Sequence, residues 1–410
     1  MRLLSWLFPI DRIRPEDRWT VYLLWLVGVL QGFAQAQAAA TVPFTRSTLG
    51  LTEGEMSLVL AVTRLAGVGA VLFSWWGDKK GRRRPFLVAY LLLIGASAGT
   101  SLVSTPLAFT GLQSLVRLST AAVGTLGVVL LAERVEPTVR AFSIALYGAG
   151  GSLGAGMGLA TLPLADLGPE GWRIPFGLTA VGFLAWPLLV RRIDESRLYS
   201  PAGAAHSRPL AQLLSSGYAA RFWLSAAAAT LAAAFSTVAL SFSTERLVSD
   251  VGLPTAAAAA LSLGGGAVGG LGFFVGSRLA DLIGRRGTTI LAFGCMAVGG
   301  VGVYRLDHPA PLALAIAVST FGSFAYVPAG ASHRVELFPT EFRSTAGAAG
   351  SYLAMVGSAL GLAVGRLTID RFGLADTVTA LASLLVVSMV LTWLLPETKG
   401  QALEAVQPDR

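Results

Sequence analysis

Charge is scarce in this chain: Asp, Glu, Lys and Arg make up 13% of its 410 residues, about half the share usual in a soluble protein. So little charge cannot cover a water-facing surface of this size, which leaves lipid as the solvent for much of it. Cysteine occurs once, at Cys295 inside an apolar run, so no intrachain disulfide forms. Histidine occurs only at positions 206, 308 and 333, too scattered for metal-ligand spacing. No glycine-rich phosphate loop is present either. These absences speak against a membrane enzyme, against a metal or cofactor, and against an ATP-driven pump built from this chain alone. The net charge is +8. Its basic residues sit in short loops rather than on one polar face, so nucleic acid is not an expected partner. The apolar stretch from Leu3 to Pro9 runs into mixed charges from Asp11 to Arg18 without a cleavage site, so it does not read as a signal peptide.

What the chain has is apolar length. It is 54% hydrophobic, with a mean hydropathy of +0.65. About 20 apolar residues cross a bilayer as a helix. The pattern predicts twelve spans, at 19–43, 56–76, 86–104, 107–132, 141–164, 174–190, 222–244, 255–276, 288–305, 310–332, 344–365 and 375–395. The third, sixth and ninth are short. With the N-terminus inside, 23 of the 31 Lys and Arg residues fall on the cytoplasmic side, 6 outside and 2 within spans. This asymmetry predicts cytoplasmic termini.

A repeat divides the chain. The loop Gly77-Asp78-Lys79-Lys80-Gly81-Arg82-Arg83-Arg84 returns as Ala280-Asp281-Leu282-Ile283-Gly284-Arg285-Arg286. The same offset of 203 residues maps Glu133 to Glu336, Arg140 to Arg343, Gly154 to Gly357 and Gly158 to Gly361. This reads as a duplicated unit in parallel orientation. The expected organisation is a six-helix bundle at 1–190, a linker at 191–219 holding Pro201, Gly203, His206 and Pro209, and a second bundle at 220–410. The Gly-x-x-x-Gly pairs strip side chains from one helix face and permit close helix contact.

These residues resemble the major facilitator superfamily of transporters. The family's loop between its second and third helices reads G-x-L-x-D-R-x-G-R-R. This chain supplies Asp78, Lys79, Gly81, Arg82 and Arg83, then Leu279, Asp281, Gly284, Arg285 and Arg286, with Ser74 and Ser277 in place of the first Gly. Glu336-Leu337-Phe338-Pro339-Thr340 with Arg343, and Pro396-Glu397-Thr398-Lys399-Gly400, resemble signatures of the sugar-porter and organic-ion-transporter branches. Glu133, Pro137, Thr138 and Arg140, and Asp194-Glu195-Ser196-Arg197, make looser copies. The run 148–158 is similar to a drug/proton antiporter motif but lacks its Gly-Pro step.

The resemblance implies an all-α membrane protein of twelve transmembrane helices in two pseudo-symmetric six-helix bundles, working by alternating access as a monomer in the plasma or inner membrane. It also implies a cytoplasmic latch, in which Asp78 approaches a helix N-terminus of the opposite half, Arg82 pairs with Glu133, and Arg285 with Glu336. Gly81, Arg140, Asp281, Gly284 and Arg343 complete it.

Mid-span charge is expensive in lipid and marks function. Only Arg64 and Arg117 qualify; all 23 Asp and Glu residues sit in loops or near span ends. Two positive groups without a nearby acid suit an anionic solute, carboxylate or phosphate, as the missing counter-charge. A structural role for Arg117 is the competing reading. Gln31 and Gln35 lie four apart on one helix face and suit either solute contact or an interhelical hydrogen bond. Tyr147, Phe242, Phe324 and Tyr326 are candidate cavity aromatics. The expected function is secondary transport of a small organic, preferably anionic, solute, with a proton or counter-anion as the open choices of coupling ion. A multidrug/proton antiporter, a sugar porter and a transport-inactive receptor or sensor are the alternatives.

Overall fold

The computed structural model describes residues 13–195 and 210–399. Pro201, Gly203, His206 and Pro209 of the expected linker lie outside them, as does Gly400. Twelve helical rods run through the described residues. They are α1 Pro15–Ala40, α2 at 53–80, α3 Arg83–Thr100, α4 Pro106–Arg134, α5 Pro137–Ala160 and α6 Arg173–Arg192. Then come α7 Ala219–Ser241, α8 Thr255–Leu282, α9 Arg285–Arg305, α10 Pro309–Glu336, α11 Thr340–Phe372 and α12 Leu374–Trp393. Ten are long and apolar enough to cross a membrane. The other two are α3, whose 18 residues include Arg83 and Arg84, and the glycine-rich α5.

Local chemistry sets the boundaries. Proline stands in the first turn of α1, α4 and α10, where its missing N–H costs nothing. The Thr105 hydroxyl caps α4 by accepting from Ala108 N–H at 3.3 Å. Pro328 interrupts the ladder of α10, and the Ser332 hydroxyl donates to its carbonyl at 2.8 Å. A 3₁₀ turn at Gly67–Gly69 breaks α2 into two pieces, and another at Thr179–Ala185 runs through α6.

The rods form two compact units. One holds described residues 13–49 and 65–195, the other 50–64 and 210–399. The first piece of α2 thus clusters with the second unit. In the first unit α1 lies along α5, α3 along α4, and α6 against α3. Its core is aliphatic and aromatic, with Leu24, Val27, Phe86, Tyr90, Leu93, Val123 and Leu131 all buried. In the second unit α7 lies along α11, α8 and α9 along α10, and α12 against α7 and α9. The short helix Leu210–Leu214, at the end of the expected linker, puts Leu213 into a cluster with Phe222, Leu337, Phe338 and Leu395.

The close pairs α1/α5 and α7/α11 are glycine contacts. A Cβ at Gly154 would stand 2.7 Å from the Val29 carbonyl carbon and 2.9 Å from Phe33 N. At Gly361 it would meet the Ala234 Cα and carbonyl carbon at 2.8 Å. Backbone meets backbone in both, on helix pairs related by the repeat.

Candidate functional site

Both charged loops turn on a glycine that no other residue replaces without strain. Gly81 has φ +91° and Gly284 φ +100°. Each aims the next two backbone N–H groups, the exposed start of α3 or α9, at a carboxylate from a distant chain segment. In the first unit this is Glu195, just past α6. Its Oε1 accepts from Arg82 N–H at 2.7 Å and from Arg83 N–H at 3.3 Å. In the second it is Glu397, just past α12, accepting from Arg285 N–H at 2.8 Å and Arg286 N–H at 3.1 Å. An anion is thus held at each helix N-terminus by unpaired donors and the helix dipole. Partial burial pushes the Glu397 carboxyl up. The backbone N–H groups of Arg285, Lys399 and Thr398 outweigh that and hold it below the usual carboxylate range.

The basic side chains close the arrangement. Arg83 donates to the carbonyls of Val190 and Ile193, both at 2.6 Å. Arg286 donates to those of Trp393 and Leu395, both at 3.2 Å. These carbonyls end α6 and α12, where a cation is favoured. Arg82 meets Glu133 at 3.3 Å, and Arg285 meets Glu336 at 3.1 Å. Each of these four side chains is 16–18% exposed, so the pairs are largely shielded from water. Asp281 pairs with Arg285 of its own loop at 3.2 Å. Arg343 donates to the Phe338 carbonyl at 3.3 Å. The side chains of Asp78, Pro137, Thr138 and Arg140 lie outside the described set.

Sequence reasoning missed several members. Glu195 and Glu397 are the largest omission, although the motifs containing them were visible. Arg134 was missed too; it bridges Asp17 at 2.7 Å and Asp194 at 3.1 Å. In the second unit the Thr398 hydroxyl donates to Glu336 at 2.5 Å, and His333 Nε2 sits 3.0 Å from the Pro396 carbonyl.

Among the mid-span candidates, Gln31 and Tyr147 come together. The Tyr147 hydroxyl donates to Gln31 Oε1, and Gln31 Nε2 donates to the Thr120 carbonyl of α4 at 3.3 Å. Gly124 leaves room for this amide. Arg117 lies one turn before Thr120 on α4. It is half-buried, with no hydrogen bond or ion pair among the described residues. Arg64, in the second unit, is likewise half-buried and without such a partner. Gln35 is exposed, apart from the Gln31 contact. Phe242 is wholly buried at the end of α7, and Phe324 is half-buried. Tyr326 stacks on Phe293 at 4.9 Å and accepts from Arg334 at 3.2 Å. Two cavities, about 460 Å³ in the first unit and 350 Å³ in the second, are lined by none of the candidate residues.

Comparison with known proteins completes these observations. The profile of the Major Facilitator Superfamily matches residues 24–362. A probable 4-methylmuconolactone transporter of Cupriavidus pinatubonensis is 28% identical, covering 96% of this chain and 93% of its own. The inner membrane metabolite transport protein YgcS of Escherichia coli is 23% identical, covering 93% and 90%. Among solved structures, a D-xylose-proton symporter superposes with a TM-score of 0.74 at 18% identity, covering 93% of this chain and 98% of that one. A bacterial homologue of the human lysosomal transporter Spinster, inward-facing and occupied, gives 0.75 at 14%, covering 93% and 97%.

Proposed function

The chain belongs to the Major Facilitator Superfamily, and from that premise we propose that it carries a small organic anion. As a member it is a multi-pass membrane protein and a secondary transporter of small metabolites, not an enzyme. The observation that carries the finer reading is the pair Arg64 and Arg117. Both are half-buried within spans, and neither has an ionic partner among the described residues. A carboxylate or phosphate supplies what each lacks. Gln31 on α1 and Tyr147 on α5 add neutral hydrogen-bonding groups, and Gln35, Phe242, Phe324 and Tyr326 complete the proposed contact set. The relative named for a lactone supports an organic acid or its lactone over a sugar.

In this reading the two bundles, 1–190 and 220–410 joined by 191–219, rock about the solute, with both termini in the cytoplasm of a plasma or inner membrane. The loop networks form the cytoplasmic latch. Arg82 with Glu133 and Arg285 with Glu336 carry it, Gly81 and Gly284 shape it, and Asp78, Asp281, Arg140 and Arg343 flank it. A proton or a counter-anion accompanies the solute, and the working form is a monomer.

The test is a thermal-shift screen of purified protein against 4-methylmuconolactone, organic acids, sugars and cationic drugs. It is repeated with Arg64→Gln and Arg117→Gln. A bound ligand raises apparent stability by mass action. The expected result is stabilisation by organic acids that both variants lose. Stabilisation by sugars or drugs, unchanged in the variants, refutes the anion site.

A further inference from the structure

The cavity of about 350 Å³ in the second unit is a groove between the last turns of α11 and the first turns of α12. The left-handed Gly373, φ +84°, folds the two helices back against each other. One wall is Val364, Thr368 and Phe372 of α11, spaced by four along one helix face. The other is Thr377, Leu381 and Leu384 of α12. From Phe372 at the tip down to Val364 is about 12 Å along the helix. That depth lies within the roughly 15 Å of one hydrocarbon leaflet. Both helices are apolar enough to span a membrane, and Val364 and Phe372 are 41% and 65% exposed. Such walls meet lipid rather than water.

Two polar features set this groove apart from plain lipid contact. Thr377 is 3% exposed, and its hydroxyl has no hydrogen-bond partner among the described residues. A buried hydroxyl left in that state is costly. The other hydroxyl in the walls is already satisfied, since Thr368 donates to the Val364 carbonyl at 2.9 Å. The second feature is charge at the tip. Asp376, on the rim, is held by Arg305 at 2.5 Å, and the two charges cancel. Arg371 remains. It is exposed, three residues past Thr368 on the same side of α11, and has no hydrogen bond or ion pair among the described residues.

A glycerophospholipid presents the complement in the same order: phosphate at the membrane surface, ester carbonyl beneath it, acyl chain below. We propose that the groove binds one anionic glycerophospholipid. Arg371 holds the phosphate, the Thr377 hydroxyl donates to an ester carbonyl, and an acyl chain fills the groove down to Val364 and Leu384. The single uncompensated positive charge favours a lipid of net negative charge over a zwitterionic one. The bound lipid thereby ties the end of α11 to the start of α12.

The experiment is native mass spectrometry of full-length protein, delipidated in detergent and titrated with phosphatidylglycerol, phosphatidylethanolamine or glycerol phosphate. The parent is expected to take up one phosphatidylglycerol about tenfold more tightly than phosphatidylethanolamine. Arg371→Gln should lose that preference. Thr377→Val, which keeps the shape and removes only the hydroxyl, should weaken uptake of either lipid a few-fold. Ala380→Trp, a bulky change at an exposed position in the wall, should abolish specific uptake. The two milder variants carry the test if the tryptophan variant does not fold, which its melting without lipid reveals. Equal uptake of the two lipids by the parent, or equal affinity in the parent and all folded variants, overturns the site. Glycerol phosphate binding as tightly as the whole lipid overturns it too, because the groove then plays no part.

Discussion

Replacing Gly154 with Ala tests the packing on which α1 and α5 depend. The added Cβ would stand 2.7 Å from the Val29 carbonyl carbon and 2.9 Å from Phe33 N, and would press on the Val29 carbonyl oxygen. Carbon contacts are comfortable at about 3.5–4.0 Å, so the two helices must part by roughly 0.8 Å or more at the crossing. The obstructing atoms are backbone, so no rotamer change relieves them. Overpacking of this kind costs about 1–3 kcal/mol, and the better helix propensity of Ala returns at most about 1 kcal/mol.

Gly148 provides the control. It lies in the same helix, with nothing within 4 Å of where its Cβ would stand. Gly148→Ala therefore keeps the propensity gain without the clash. The propensity gain is common to both, so the two variants should differ by the overpacking cost, about 1–3 kcal/mol. That corresponds to at least about 2 °C in apparent melting temperature for a unit of this size. Intrinsic tryptophan fluorescence in detergent, at one fixed scan rate, reads this difference. A Gly154→Ala protein that melts at or above Gly148→Ala would refute the close-packing argument, and with it the analogous argument for Gly357 and Gly361.

Three further outcomes are expected. Tyr147→Phe removes the hydroxyl that donates to Gln31 and should lower stability by about 1 kcal/mol, whereas Ala at the exposed Gln35 should change little; a melting comparison separates them. A double-mutant cycle on Arg285 and Glu336 should give a coupling energy of about 1 kcal/mol. The cycle on Arg82 and Glu133 should match it closely, because burial and distance are nearly the same in the two pairs. Glu397→Gln should melt lower than the parent at neutral pH. The folded Glu397 carboxyl is held below its ordinary value, so its stabilisation is full above the unfolded value of about 4.3 and fades as pH falls through the lower folded value. The gap between parent and variant should therefore close only below about pH 4; a gap constant to lower pH would contradict the capping role.

The repeat was legible because it is written at one offset of 203 residues, and the rods were legible because apolar length is unambiguous in a chain this poor in charge. The glycine pairs could be read as contact faces because spacing of four is a local property of a helix. What escaped depended on chain ends and on neighbours. Gln31 and Gln35 differ by about 40° around the helix. That small turn is enough to place one against Tyr147 and leave the other exposed. No periodicity assigns residues 50–64 to the second unit, since the deciding partner, Asp370, stands 318 residues from Thr52.

Glu195 shows why the charged loops were only half understood. Its counterpart Glu397 lies 202 residues on, one short of the offset that relates the loops themselves. An alignment by offset therefore passes it over. The geometry does not: both carboxylates receive two consecutive N–H groups presented by a left-handed glycine. Of the carbonyls that take the second arginine, those of Val190 and Trp393 still match at the offset of 203, while those of Ile193 and Leu395, like the two carboxylates, match at 202. The two halves thus repeat a set of donors and acceptors at the start of one helix and the end of another. A one-residue slip is absorbed in the irregular segment after α6 or α12, where no helical ladder fixes the register. A sequence comparison sees that slip as decay of the motif. The hydrogen bonds show that the device survives it.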